Sequence, residues 1–255
     1  MDKQYDMLLF AGQSNMAGRG ITSERWKEKA PISIDGSGFE YRAVSDPGTL
    51  HKIEEPFGAN ENKEGGIYEP GMKTGSLVTS FINSYYKETG TAVIAVSASK
   101  GGSSILEWQD NNDYLTDALK RLSDAKDFAM KNAIDIRHCY LVWCQGETDG
   151  DRRTSPQLYA KCFENLLSKF KKAGVDLCFM IAIGQYNGTK GYDYEPIRKM
   201  QLEIASKDSF VALVSDDFSK MKERGLMKDD FHYYQKAYNE VGEIAGKRAG
   251  QIANM

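Results

Sequence analysis

Ser14, in the stretch LLFAGQSNMAGRG, follows a short apolar run and stands among the turn residues Gly12, Asn15 and Gly18. A serine so placed is either an ordinary loop residue or a nucleophile held where open α/β sheets keep their catalytic groups, at the carboxyl end of a strand. Such a nucleophile needs an adjacent base at neutral pH, and imidazole is the usual one. The chain has three histidines. His138 stands at the entry of an apolar run, the wrong edge of a sheet for Ser14, and His51 lies in a proline-rich stretch with only Glu54 and Glu55 as nearby carboxylates. His232 follows two acids in KDDFHYYQ, just before a final helical pattern. His232 is therefore the candidate base, with Asp229 or Asp230 to orient it. Read without catalysis, KDDFH is a helix N-terminal turn with capping acids. The chemistry that serine, histidine and acid would perform together is two-step acyl transfer, which also needs donors aimed at an oxyanion. Candidates are the Ser14 N–H, the backbone at Gly101 and Gly102, and the side-chain amide of Gln145.

These residues need a scaffold that collects them. Apolar, β-rich runs at 7–10, 92–97, 139–144, 177–183 and 210–214 alternate with helix-period segments at 76–89, 114–132, 156–173, 195–207 and 234–254. That alternation predicts βαβ units and a parallel sheet covered on both faces. GQSN, SASKGGSS, CQGETD and KDDFHYYQ then all fall at carboxyl ends of strands or beyond the last one. Their shared placement says more than any one of them. The stretch 19–75 holds four of the six prolines and little periodicity, and reads as a long irregular excursion over the surface. No linker, repeat or low-complexity tract divides residues 1–255, so one domain is expected.

Composition excludes other classes. At 255 residues, 41% hydrophobic and 27% charged, the chain is ordinary globular protein, and its formal net charge of -3 leaves no electrostatic footprint for nucleic acid. No apolar run approaches the roughly 20 residues of a membrane span, and MDKQYDMLLF lacks the basic flank of a signal peptide. The chain as it stands reads as cytoplasmic, or as secreted if a signal peptide has been removed. Four cysteines without a C-x-x-C pair read as buried thiols, and no histidine cluster has metal-ligand spacing, so neither metal nor cofactor is expected. A Walker-type phosphate loop is absent, and Met16 stands where a nucleophile elbow would have its second glycine.

GQSNMAG, GGSSILEW, WCQGETD and DDFH, in this order, resemble the sequence blocks of the SGNH hydrolases, and within them the sialate O-acetylesterase and acetylxylan esterase group, carbohydrate esterase family six. The resemblance covers nearly the whole chain. It implies a flavodoxin-like, three-layer α/β/α sandwich on a five-stranded parallel sheet, and removal of O-acetyl groups from sugars or oligosaccharides. It implies Ser14 as nucleophile, Ser14, Gly102 and Gln145 as oxyanion donors, His232 as base and Asp229 as its orienting acid. Spacing within a helix-like turn also favours Asp229, three residues before His232, over Asp230, which should point outward or cap the following helix. Gln145 stands where the wider superfamily has asparagine, and Ser103 where threonine is frequent. Asn15, Glu147, Asp149 and Trp108 are expected around the site, as supporting hydrogen-bonders or substrate rim. Glu147 and Asp149, two apart in a loop, need not face one site as a glycosidase pair would. Trp108, Tyr186, Tyr192 and Tyr194 either stack on sugar faces or pack in the core. Two other readings remain: a carbohydrate-binding module without catalysis on the same fold, and a short-chain lipid or thioester hydrolase.

Overall fold

In the computed structural model, residues 4–62, 67, 70–110 and 112–255 are described. The five expected strands form β1 (Gln4–Gly12), β4 (Ala92–Ser99), β5 (Asp135–Cys144), β6 (Leu177–Ile181) and β7 (Val211–Ser215). They pair in parallel in the order β4-β1-β5-β6-β7. Alternation along β1 decides the layers. Met7, Leu9 and Ala11 join one core cluster and Leu8 and Phe10 the other, all fully buried, as expected of a strand covered on both faces. The first cluster is closed by α3 (Asp113–Lys131), α5 (Pro156–Lys172) and α6 (Glu195–Lys207). The second is closed by α2 (Val78–Thr89) and α7 (Gln235–Ala253). The last two helices meet closely because α7 presents glycines: a Cβ on Gly246 would lie 2.0 Å from the Phe81 carbonyl oxygen, and one on Gly242 2.3 Å from that of Leu77.

The sheet has seven strands rather than five. The added pair lies inside the excursion: β2 (Gly38–Arg42) runs parallel to β4, and β3 (Asp46–Lys52) antiparallel to β2 at the edge. Charge masks the pattern of β2. Glu40 is buried in it, satisfied by Arg42 at 2.8 Å and by the Gly58 N–H at 3.0 Å, where an apolar residue would have marked a strand. Within the excursion, 63–66 and 68–69 lie outside the described residues.

Strand β1 carries β4 on one side and β5 on the other, and Gly12 pairs with both Ser99 and Cys144, so three strands end at one level. From β4 the chain crosses β1 to reach β5. This reversal opens a crevice at the carboxyl edge, the place where such sheets bind ligands. Among the described residues no helix is long and apolar enough to cross a membrane.

Candidate active site

Gly12 ends β1 at φ 135°, with room for no side chain: a Cβ there would stand 2.1 Å from the Cys144 carbonyl oxygen. The chain turns at once into the short helix α1 (Ser14–Ala17), which sets Ser14 at the mouth of the crevice. Opposite, the 226–234 segment is a loop closed on itself. Lys228 N–H donates to the His232 carbonyl at 2.9 Å, Tyr234 N–H to that of Leu226 at 2.9 Å, and α7 begins only after it. The loop holds His232 Nε2 3.0 Å from Ser14 Oγ, and His232 Nδ1 lies 3.1 and 3.0 Å from the two carboxylate oxygens of Asp229. Asp229 Oδ1 also accepts the N–H groups of Phe231 and His232, at 2.8 and 2.7 Å. Burial pushes the Asp229 carboxyl up, but these donors and the imidazole outweigh it and hold it below the usual carboxylate range. Asp230 neither caps α7 nor reaches the imidazole. Its carboxylate accepts from the Tyr186 hydroxyl at 3.2 Å, because the loop, rather than a helical turn, sets its direction.

Burial pushes the His232 imidazole below its ordinary value; Asp229 pulls it back up, while Arg19 and Lys228 push it further down. A neutral ring that donates Nδ1–H to Asp229 leaves the Nε2 lone pair facing Ser14, the state a general base needs. The acid limb of kcat/KM on an acetyl ester, which reports the free enzyme's base, is therefore expected to have its midpoint below the histidine reference of about 6.5. Arg19→Met, which removes one of the cations, should move that midpoint to higher pH. A midpoint above the reference in the unaltered protein would contradict this electrostatic account.

The backbone N–H groups of Ser14 and Gly102 have no acceptor among the described residues, and both residues line the crevice. Gly102 holds φ 70°, a conformation that favours glycine, and its loop is tied to β1 through Lys100 N–H to the Gly12 carbonyl at 2.9 Å. Gln145 departs from the expected donor role. Its amide nitrogen donates to Asp149 Oδ2 at 2.5 Å and to the Ser103 carbonyl at 3.0 Å, the side chain is fully buried, and it does not line the crevice. The cause is Asp149, a fully buried carboxylate that also collects Ser104 Oγ, the Ile105 N–H and Thr154 Oγ1 at 2.7 to 2.9 Å. A buried carboxylate needs donors on both oxygens, so the Gln145 amide is turned inward to meet it. Asp149 thereby fastens the β4 loop to α4 (Glu147–Asp151).

Trp108 likewise lies away from the rim. It is fully buried edge-on to Trp143 at 5.1 Å and donates to Ser103 Oγ at 2.9 Å. Tyr186 and Tyr194 are buried behind Phe231, whose ring centroid lies 5.6 Å from that of Tyr186. His138 keeps to the other end of β5, and His51, on β3, pairs with Asp46 at 3.1 Å. Asn15 and Glu147 lie under the nucleophile, bonded to each other. The crevice encloses about 310 Å³ between Gln13, Ser14, Arg19, Met72, Gly101, Gly102, Glu147, Thr148, Asp151, Phe231 and His232. Gln13, Arg19, Met72, Thr148, Asp151 and Phe231 are the ones sequence reasoning missed. Gln13 and Arg19 stand in the very segment that marks Ser14, and adjacency was the signal available for them. A larger hollow of about 660 Å³ between α5 and α6 contains no histidine in its wall. Among the described residues no cluster of three metal-ligating side chains occurs.

The family model described as carbohydrate esterase, sialic acid-specific acetylesterase, matches residues 4–250. No curated protein matches the chain. Among solved structures, a protein from Arabidopsis thaliana is 20% identical, with 99% of both chains covered and a TM-score of 0.68. A carbohydrate acetylesterase from Xanthomonas citri is 13% identical at a TM-score of 0.61, covering 98% of this chain and 57% of that one. An acetyl-xylooligosaccharide esterase from Geobacillus stearothermophilus is 10% identical at 0.51, covering 95% and 93%. These likenesses are likenesses of fold: helices flanking a central, mostly parallel sheet.

Proposed function

We propose a serine-dependent O-acetylesterase of sugars, from the premise that the chain belongs to the carbohydrate esterase family of sialic acid-specific acetylesterases. The observation that carries the proposal is the hydrogen-bonded run Asp229–His232–Ser14 opening on the crevice. In the proposed reaction His232 Nε2 takes the Ser14 proton as Oγ attacks the acetyl carbonyl. The Ser14 and Gly102 N–H groups receive the oxyanion. As the bond from the acyl carbon to the sugar oxygen breaks, His232 gives its proton to that oxygen, which leaves as the hydroxyl; water, deprotonated by the same ring, then attacks the acetyl-enzyme, and the proton passes to Ser14 Oγ as acetate departs.

The crevice, at about 310 Å³, has to hold a sugar beside the acyl group, which leaves little room for a long chain. Among the described residues lining it, Gln13, Arg19, Thr148, Asp151 and His232 offer polar partners to a sugar, beside the apolar Met72 and Phe231. Acetyl transfer to water is therefore expected to outrun transfer of longer chains: p-nitrophenyl acetate should exceed the octanoate in kcat/KM by about 100-fold or more, the scale on which a pocket that cannot hold the extra methylenes discriminates. Acetylated xylo-oligosaccharides, acetylated sialic acid and peracetylated simple sugars then rank the sugar. Preference for octanoate would transfer the activity to lipids or thioesters, and turnover of none of these esters would make the chain a binding module.

A further inference from the structure

Asn15 is fully buried beside the nucleophile, and each of its amide atoms is committed. Its nitrogen donates to Glu147 Oε1 at 2.5 Å and to the Phe231 carbonyl at 3.2 Å, and its oxygen accepts from the Tyr238 hydroxyl at 2.6 Å. Phe231 is the residue before His232. One amide thus joins the turn that carries Ser14 to the loop that carries the base, with Glu147 on α4 and Tyr238 on α7 as its anchors. Glu147 is 3% exposed, and its second oxygen, Oε2, has no partner among the described residues.

We propose that Glu147 is a positioning residue: it holds Asn15, and through Asn15 the Phe231 carbonyl, so that His232 Nε2 stays within hydrogen-bond reach of Ser14 Oγ. The role needs an acceptor on Glu147, not a charge. The groups facing it are Asp149 and Asp151 from its own helix, the Cys144 thiol at the end of β5, and the phenols of Tyr159, Tyr194, Tyr233 and Tyr238. None of these compensates a carboxylate. Burial pushes the Glu147 carboxyl up to about 7, so it keeps its proton at mildly acidic pH and is divided between the two forms near neutrality, the proton lying on the oxygen that Asn15 does not use. A folded-state value above the unfolded one means that the native protein binds this proton more tightly. Stability from it is present below the unfolded value of 4.5 and is lost as pH rises towards 7.

The inference rests on Ser14 being the nucleophile, and the test separates the two claims. Glu147→Gln keeps an acceptor for Asn15; Glu147→Met and Asn15→Leu keep a side chain of similar length and remove the bond. With p-nitrophenyl acetate at pH 7, Glu147→Gln should retain kcat within about threefold. The other two should lose roughly 100-fold in kcat at unchanged KM, the scale set by an ångström of misplacement. Phosphonylation of Ser14 by a p-nitrophenyl phosphonate should slow in the same proportion. The melting temperature of Glu147→Gln should rise relative to the unaltered protein as pH goes from 5 to 7.5, a readout that holds even if the apolar variants fold poorly. Normal kcat and labelling in Glu147→Met, a Glu147→Gln as slow as Glu147→Met, or an effect confined to KM for sugar esters would each overturn the positioning role. Should the unaltered protein itself take no label at Ser14, the esterase reading falls instead.

Discussion

Ser14→Ala is expected to lower kcat on an acetyl ester by roughly 10⁴-fold or more, because the covalent route disappears and only the oxyanion donors and binding remain. The loss is expected to be chemical rather than structural. Ser14 Oγ bonds to His232 Nε2, whereas the turn around it is held by other atoms: Gln13 N–H on the Cys144 carbonyl, Met16 and Ala17 N–H on the Gln13 carbonyl, and Gly18 N–H on that of Ser14. Alanine preserves every one of these, so the circular dichroism spectrum and melting temperature should not move. A purified variant with near-normal turnover would remove Ser14 from the chemistry.

The second large effect separates two adjacent acids. Asp229→Asn is expected to cost on the order of 10²- to 10⁴-fold in kcat, and Asp230→Asn about threefold or less. In Asp229→Asn the side-chain oxygen stays where the Phe231 and His232 N–H groups need an acceptor, which turns the new amide N–H towards His232 Nδ1. The ring must then accept at Nδ1 and carry its proton on Nε2, where it cannot take one from Ser14. Asp230→Asn keeps an oxygen for the Tyr186 hydroxyl and leaves the imidazole untouched. Both variants are compared in kcat on one acetyl ester about one pH unit above the histidine reference of ~6.5. A reversed ranking would give the orienting role to Asp230, and two active variants would make Ser14 and His232 a dyad.

What was legible in the chain was what leaves a periodic or local mark. Buried parallel strands such as MLLF and AVIAVS are apolar at every position because both faces are covered, and the 3.6-residue stripe of α3 and α5 is equally plain. The Ser14, His232 and Asp229 assembly was traceable because the two segments that carry it, GQSN after β1 and KDDFH beyond β7, fall at the carboxyl edge and only two other histidines compete. Strands β2 and β3 escaped because Glu40 and Arg42 satisfy one another inside the sheet, which no hydrophobic count detects. Gln145 was misplaced for a related reason. Its side-chain direction is set by Asp149, whose four donors come from segments more than forty residues apart in part, and a single sequence does not disclose which of two nearby polar partners an amide will face. The two-residue spacing of Glu147 and Asp149 likewise concealed opposite duties. One fastens the β4 loop, and the other lies against Asn15 under the nucleophile.

The central claim is that Ser14 Oγ attacks the acyl carbon with His232 as its base. Its most direct measurement is covalent: the protein is treated with a p-nitrophenyl phosphonate, its residual esterase activity is followed, and the modified peptide is identified by mass spectrometry. The account predicts one phosphonyl group per chain, on Ser14, gained in step with the loss of activity and gained far more slowly when His232 is replaced by alanine. Complete inactivation with the label on another residue, or full labelling of Ser14 with activity intact, would contradict it.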